Sequence, residues 1–175
     1  KLNIQGEIEQ AIKEITGEDV TLNASGRTDS GVHSLGQVAN FKTNSNIEIE
    51  KIAIAINSKL KKSIVIKKAE EVDQNFHARY NCKGKKYRYI INNSQQGTAI
   101  YRDLEYHIPQ KLDIEKMKQA IKHFEGEHDF KGFKASGTSN KSSIRTIYKA
   151  EVKQEGERII IELTGNGFMY NMVRI

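Results

Sequence analysis

The densest group of chemically capable side chains lies in residues 25–33, where Asp29 stands two residues after Arg27 and two before Gly31. A carboxylate presented on a turn can act as a nucleophile or as a general base. An Asp in a glycine-flanked turn more often hydrogen-bonds its own backbone, which is a purely structural role. Composition alone therefore leaves both roles open for Asp29.

A second concentration of functional side chains lies in residues 59–88, which carry ten Lys or Arg against three acids, in a chain with a net charge of +6. Tyr80, Tyr87 and Tyr89 lie in or next to this basic window. Aromatic rings among cations suit unpaired RNA, because bases stack on the rings while the cations contact phosphates. A solvated edge strand protected by lysines is the alternative.

Composition excludes several classes of protein. The 175 residues are 37% hydrophobic and 29% charged, and the chain has no uncharged apolar run long enough for a membrane helix. Cys82 is the one cysteine, which excludes a disulfide framework and a Cys-rich zinc site. The histidines lack the spacing of metal ligands. We therefore expect a soluble protein of a reducing compartment, the cytoplasm, that holds no metal.

The elements that position these residues follow from hydrophobic periodicity. Helical spacing predicts helices over 4–16, 49–60 and 114–124, and the start of another at the C-terminus. Alternating or clustered β-forming residues predict strands over 20–24, 37–41, 64–66, 83–92, 101–108, 144–153 and 158–164, the last two joined by a turn at Glu155-Gly156. This order predicts an α+β protein with a largely antiparallel sheet. Its halves would be residues 1–92 and 113–175, connected by 93–112.

Residues 26–33, Gly-Arg-Thr-Asp-Ser-Gly-Val-His, and their continuation in 36–41 resemble the active-site motif of the TruA-type tRNA pseudouridine synthases. Three more segments resemble the family's later motifs in the same order: 76–80 with 86–91, 126–130 with Phe133, and Gly167-Phe168 with 172–174. The resemblance therefore covers essentially the whole chain.

The resemblance implies a pseudouridine synthase fold, in which two ferredoxin- or RRM-like halves surround a largely antiparallel central sheet with flanking helices. It also implies isomerisation of uridine to pseudouridine at tRNA positions 38 to 40, in the anticodon stem-loop, by base flipping and without metal or cofactor. The resemblance further implies a homodimer in which one tRNA spans both subunits.

The family's site residues carry over onto matching positions. Asp29 matches the essential nucleophile or base, Arg174 the arginine that pairs with it, and Tyr87 the aromatic that stacks on uracil. Arg27 matches an arginine suited to extruding the base, and His33 lies in the same motif. The cations that we expect to hold RNA phosphates are Arg79, Lys83, Lys85, Lys86 and Arg88.

Two other functions fit parts of the pattern. A non-catalytic, RRM-like RNA-binding module would also carry aromatics on a basic strand, but it has no reason to keep Asp29, Tyr87 and Arg174 together. A glycoside or nucleoside hydrolase also cleaves at an anomeric carbon, but it needs two carboxylates. The chain starts without Met and ends in an apolar run, so we expect both ends to be internal to a longer protein.

Overall fold

The computed structural model describes residues 3–135 and 142–175, which form two units that divide between Cys82 and Lys83. The first unit contains helices α1 (Ile4–Thr16) and α2 (Ile49–Lys59) and strands β1 (Asn23–Ala24) and β2 (Ala39–Asn40). The second contains α3 (Ile114–Ile121) and strands β3 (Lys85–Asn92), β4 (Tyr106–His107), β5 (Gly126–Asp129), β6 (Ile144–Glu155) and β7 (Arg158–Gly165). None of the described helices has the length and hydropathy that crossing a membrane requires.

Local chemistry explains the ends of α1. The Asn3 side chain caps the first turn by accepting a hydrogen bond from the Gly6 N–H at 2.8 Å. Gly17 ends the helix with φ +76°, and its N–H donates to the Lys13 carbonyl at 2.8 Å. The prediction of a helix over 4–16 is confirmed.

The first unit is built around one small apolar core. Ile12 from α1, Ile56 from α2 and Leu22, which precedes β1, are all buried in it. The Leu22 N–H also donates to the Glu9 carboxylate at 2.9 Å, which ties the approach to β1 onto α1. β1 pairs with β2 in antiparallel fashion next to this core. The two strands flank the loop that contains Asp29, as predicted, although each is only two residues long.

The strand predicted over 64–66 is absent from the described structure, for a visible reason. The Asn57 amide of α2 donates to the Ile66 carbonyl at 2.8 Å and accepts from the Ile66 N–H at 2.7 Å. A side chain thus takes both main-chain hydrogen bonds that a neighbouring strand would have supplied. The segment packs on the helix instead of joining a sheet.

The second unit is a five-stranded sheet in the order β4-β3-β7-β6-β5, in which β3 and β4 are parallel and the other pairs are antiparallel. The β6–β7 turn has Gly156 at φ +60°, as a tight hairpin turn requires. One face of the sheet and α3 enclose the core, which includes Ile91, Ile121, Phe130, Ile147, Ala150 and Ile159. The prediction of an α+β protein with a largely antiparallel sheet is confirmed.

Some elements differ from those predicted. The strand expected over 101–108 is reduced to β4, β5 has no strand-forming pattern in the sequence, and the C-terminal segment forms turns rather than a helix. β3 pairs with β7 along its whole length, from Lys85 opposite Gly165 to Asn92 opposite Arg158. β3 therefore belongs to the second unit, whereas the sequence division assigned residues 83–92 to the N-terminal half.

Candidate active-site segments

Asp29 begins a tight turn at the tip of the loop between β1 and β2. Its carbonyl accepts a hydrogen bond from the Val32 N–H at 3.1 Å, and Gly31 has φ +82° at the third position, which is the pattern of a type II turn. Among the described residues of this unit, no group donates a hydrogen bond to the Asp29 carboxylate. The turn is therefore closed by the main chain, and the exposed carboxylate is left for other contacts.

The base of the loop is fastened while its tip stays open. The Ser25 N–H donates to the Val38 carbonyl at 2.9 Å, and the Gln37 amide donates to the Gly26 carbonyl at 2.8 Å. The Lys67 ammonium donates to the Leu35 carbonyl from outside the loop. Arg27 and His33, the other candidates from the first motif, are exposed on the same loop as Asp29.

The segment with Arg79 lies in the same unit and is attached to β2. The Asn40 side chain bonds the main chain of this segment at both Phe76 and Ala78. The His77 and Tyr80 rings pack with centroids 4.2 Å apart, and Arg79 is exposed. Asp29, Arg27 and Arg79 thus belong to one unit, although Arg79 lies far from the other two in sequence.

A groove of about 430 Å³ lies beside this attachment and was not expected from the sequence. Its lining includes Asn23, Asn40, Lys42, Gln74, Asn75 and Phe76. Its polar residues come from β1, β2 and the residues flanking them and from the segment before Arg79, so no single stretch of sequence reveals it. The side-chain amides of Asn23, Asn40, Gln74 and Asn75 are the signal in the sequence that could have indicated this groove.

In the second unit, strand alternation divides the candidate residues of β3 between two faces. Tyr87 lies on the face that carries Tyr89 and the core, and its ring meets the Phe168 ring edge-on with centroids 4.8 Å apart. Lys85 shares that face and is half-buried. Lys86 and Arg88 lie on the other face. The cations and aromatics that alternate in the sequence are therefore separated in space.

The guanidinium of Arg88 is engaged within the sheet. Its Nε and Nη2 donate to the same Glu162 oxygen at 3.0 and 2.7 Å. The Glu162 side chain is only 10% exposed, while that of Arg88 is 47% exposed. These hydrogen bonds hold the pKa of Glu162 below its usual range, against the opposing effect of burial. Arg88 thus has an intramolecular partner as well as its expected role in RNA binding.

Arg174 follows a turn that is anchored by methionines. Met169 and Met172 are buried in the core of the second unit, and the Arg174 N–H donates to the Asn171 carbonyl at 2.8 Å. Asn171 has φ +57°, a conformation that Asn tolerates better than most residues. The Arg174 side chain is exposed. Phe168, in the same segment, contacts Tyr87, so the Tyr87 part of the second motif and the fourth motif lie together in the second unit.

Asp129, in the third motif, has a local structural role. Its carboxylate accepts a hydrogen bond from the Lys131 N–H at 3.0 Å. Hydrogen bonds from the Ser143 side chain and the Lys131 backbone lower the pKa of Asp129. Asp129 therefore orients a local turn, and Phe130 beside it is a buried core residue.

No group of three or more His, Cys, Asp or Glu side chains is arranged to hold a metal ion anywhere in residues 3–135 and 142–175. Cys82, the single cysteine of the sequence, is half-buried.

A family model described as tRNA pseudouridine synthase matches residues 1–81 and 120–175. A protein of Acetivibrio thermocellus named tRNA pseudouridine synthase A is 51% identical over 172 residues, which are 98% of this chain and 70% of that protein. Proteins of Clostridium perfringens and a Thermoanaerobacter species, named tRNA pseudouridine synthase A 2 and A, are 49% and 48% identical, with 98% and 99% of this chain matched to 70% and 71% of theirs. The match to the family model includes the segments with Asp29, Arg79 and Arg174. The chain belongs to the tRNA pseudouridine synthase family, whose members are isomerases that modify tRNA.

Proposed function

We propose that this enzyme converts uridine to pseudouridine at positions 38 to 40 of the tRNA anticodon stem-loop, with Asp29 as the reacting carboxylate. The observation that supports this role most directly is the Asp29 turn. The main chain closes it, its base is fastened, and its carboxylate is exposed. The choice of positions rests on the motif resemblance.

The reaction needs a carboxylate but no external oxidant or reductant. The C1′–N1 glycosidic bond breaks, the uracil turns, and a C5–C1′ bond forms. The C5 proton passes to a base and N1 takes up a proton, so atoms and electrons balance. Asp29 acts either by adding to the nucleoside or by removing a sugar proton. Both routes begin with an ionised carboxylate next to the extruded nucleotide.

Two residues of the second unit complete the proposed chemistry. Arg174 pairs with the reacting carboxylate and keeps it oriented by a charge-assisted hydrogen bond. Its exposed side chain has no acidic partner within 4 Å among the described residues of its own unit, which supports this role. Tyr87 stacks on the uracil, and its edge-on contact with Phe168 supports it from behind.

Binding must offset the cost of extruding the target base, about a few kcal/mol. We assign this task to Arg27, with His33 as a further substrate contact on the same loop. Of the five cations expected to contact phosphates, Arg79, Lys83, Lys85, Lys86 and Arg88, we assign the phosphate contacts to Arg79, Lys83 and Lys85. The face shared with Tyr87 favours Lys85 over Lys86 and Arg88. A homodimer in the cytoplasm is also part of the proposal, and it rests on the resemblance alone.

Release of tritium from tRNA labelled at uridine C5 tests the proposal. We expect Asp29→Asn to lower the rate by about 10²- to 10⁴-fold or more while tRNA affinity stays near wild type. Asp19→Asn is the matched control, because it changes an exposed carboxylate of the same unit that pairs with Lys13 at 2.7 Å. The same assay on tRNA with cytidine at positions 38, 39 and 40 should show no release.

Two results would contradict the proposal. Normal turnover by Asp29→Asn would remove Asp29 from the chemistry. Binding of tRNA without any release by the wild-type protein would favour the RRM-like binding module instead. Release that persists without uridine at positions 38 to 40 would leave the chemistry intact and show that the target positions are wrong.

A further inference from the structure

We infer that Asn40 is a positioning residue for tRNA binding, because its side chain fixes the segment that carries Arg79 to the strand that follows the Asp29 loop. The inference rests on the proposed function, in which Arg79 contacts a tRNA phosphate. It concerns how the first unit holds that cation in place, and it assigns Asn40 no contact with the substrate.

The Asn40 amide makes two hydrogen bonds to the main chain of one short segment. Its Oδ1 accepts from the Ala78 N–H at 2.8 Å, and its Nδ2 donates to the Phe76 carbonyl at 3.3 Å. The two groups belong to residues two apart, as in the pairing of one strand residue with its neighbour. The Asn40 side chain thus attaches residues 76–78 to the β1–β2 pair.

Residues 77–81, the segment that Asn40 attaches to β2, are held together by their own hydrogen bonds. The Asn81 N–H donates to the His77 carbonyl at 2.9 Å, and the Asn81 side chain accepts from the His77 N–H at 2.7 Å. The Arg79 N–H donates to His77 Nδ1 at 3.2 Å. Because residues 77–81 are bonded among themselves, they move together, and the two Asn40 bonds determine where Arg79 stands.

Burial makes the attachment hard to replace with water. Ala78 is only 3% exposed, so its N–H loses its partner when the Asn40 amide is removed, and an unpaired buried donor is unfavourable. We expect the segment to shift until that N–H reaches solvent. Such a shift carries Arg79 away from the position that its phosphate contact needs.

The test measures tRNA affinity as a function of salt for the full-length protein, with Asn40→Ala, Arg79→Ala and the double variant. Loss of one phosphate contact lowers the slope of log affinity against log salt by about one. We expect both single variants to show this drop, with affinity weakened by about 3- to 10-fold, and the double variant to lose no more than Arg79→Ala alone. Circular dichroism confirms folding of each variant.

Asn23→Ala is the matched control. Asn23 lies opposite Asn40 in the β1–β2 pair and is equally half-buried, but its side chain makes no bond to residues 76–81 in the described structure. We expect it to keep the wild-type slope. If Asn40→Ala does not fold, Asn40→Asp takes its place, because it keeps an acceptor for Ala78 but loses the donor to Phe76, and its slope should still fall.

The outcomes separate the inference from the proposed function. A wild-type slope for the Asn40 variants beside a reduced slope for Arg79→Ala overturns the inference and leaves the role of Arg79 standing. Additive losses in the double variant also overturn it, because they show that Asn40 acts independently of Arg79. Wild-type slopes for both single variants overturn both roles, while tritium release by the same wild-type preparation reports separately on the catalytic proposal.

Discussion

The Asp29 loop and strand β3 carry candidate residues in two different ways. The loop is fastened at its base and by one main-chain turn, and its functional side chains are exposed. β3 is hydrogen-bonded along its length to β7, and each of its side chains is committed to one face. A loop whose base is held by hydrogen bonds leaves a side chain such as that of Asp29 exposed for chemistry. A strand within a sheet places alternate side chains on opposite faces.

This difference matters for reading motifs. Adjacent functional residues in a loop can act on one substrate, and residues 27 to 33 can be considered together. Adjacent residues in a strand cannot, because Tyr87 and its neighbours Lys86 and Arg88 point to opposite faces. The same density of functional residues thus has different meanings in the two places.

The largest effect that sharpens this comparison is expected in the loop, at Gly31. Gly31→Ala places an L-residue at φ +82°, where the turn is strained although nothing lies within 4 Å of the new Cβ. A displaced Asp29 should lower the rate of tritium release by about 10- to 100-fold. Gly36→Ala is the control, because this glycine lies in the same loop with open space and no positive φ. Equal rates for both variants would show that the turn does not position Asp29.

A moderate effect is expected in β3, at the Arg88–Glu162 pair. Glu162→Gln should lower the free energy of unfolding at pH 7 by about 1–2 kcal/mol, since the charge-assisted hydrogen bonds from Arg88 become weaker bonds to a neutral amide while Arg88 stays half-exposed. The pKa of Glu162 is lowered in the folded state, so its ionised form stabilises the protein above the ordinary glutamate pKa of about 4.3.

That stabilisation is lost as the pH falls through the lowered pKa of Glu162, and chemical denaturation at several pH values should show the two proteins converging in acid. Asp103→Asn is the control, because its pair with Arg102 spans 3.5 Å and both side chains are exposed. It should change stability by less than about 0.5 kcal/mol. A constant difference between wild type and Glu162→Gln across acidic pH would contradict the assignment.

The smallest effect tests the two faces of β3 directly. Lys85→Ala, on the face of Tyr87, should weaken tRNA affinity by a few-fold and reduce the salt slope by about one. Lys86→Ala, one residue later on the other face, should leave the slope unchanged. The two lysines are neighbours in one strand and lie on opposite faces of it. The reverse result would place the RNA on the face of Arg88 and break the proposed role of Tyr87.

Helices α1, α2 and α3 and the β6–β7 hairpin were predictable because their signals are local. The apolar spacing, cap and terminal glycine of α1 lie within its own residues, and Gly156 marks the hairpin turn. Strand 64–66 was wrongly predicted because the partner of Ile66 is the Asn57 side chain, which no periodicity reveals. β5 was missed because its residues have little strand propensity, and pairing with β6 supplies what propensity does not.

The candidate site divides in the same way. Its chemistry was readable from residue types and motif order, since carboxylate, guanidinium and aromatic groups keep their reactivity wherever they lie. The hydrogen-bond partners of those groups could not be predicted from the sequence. Arg88 is an example, because its contact with Glu162 joins two strands far apart in the chain.

The sequence by itself therefore determined the family and helices α1, α2 and α3, and it supplied the candidate reacting groups, because these depend on residue identity and short-range spacing. Only the tertiary structure decided which face Tyr87 takes, that Asp29 stands exposed on a type II turn, and that Asn40 holds the segment with Arg79. The physical reason is that hydrogen bonds and packing join residues by distance in space, whereas a sequence records only distance along the chain.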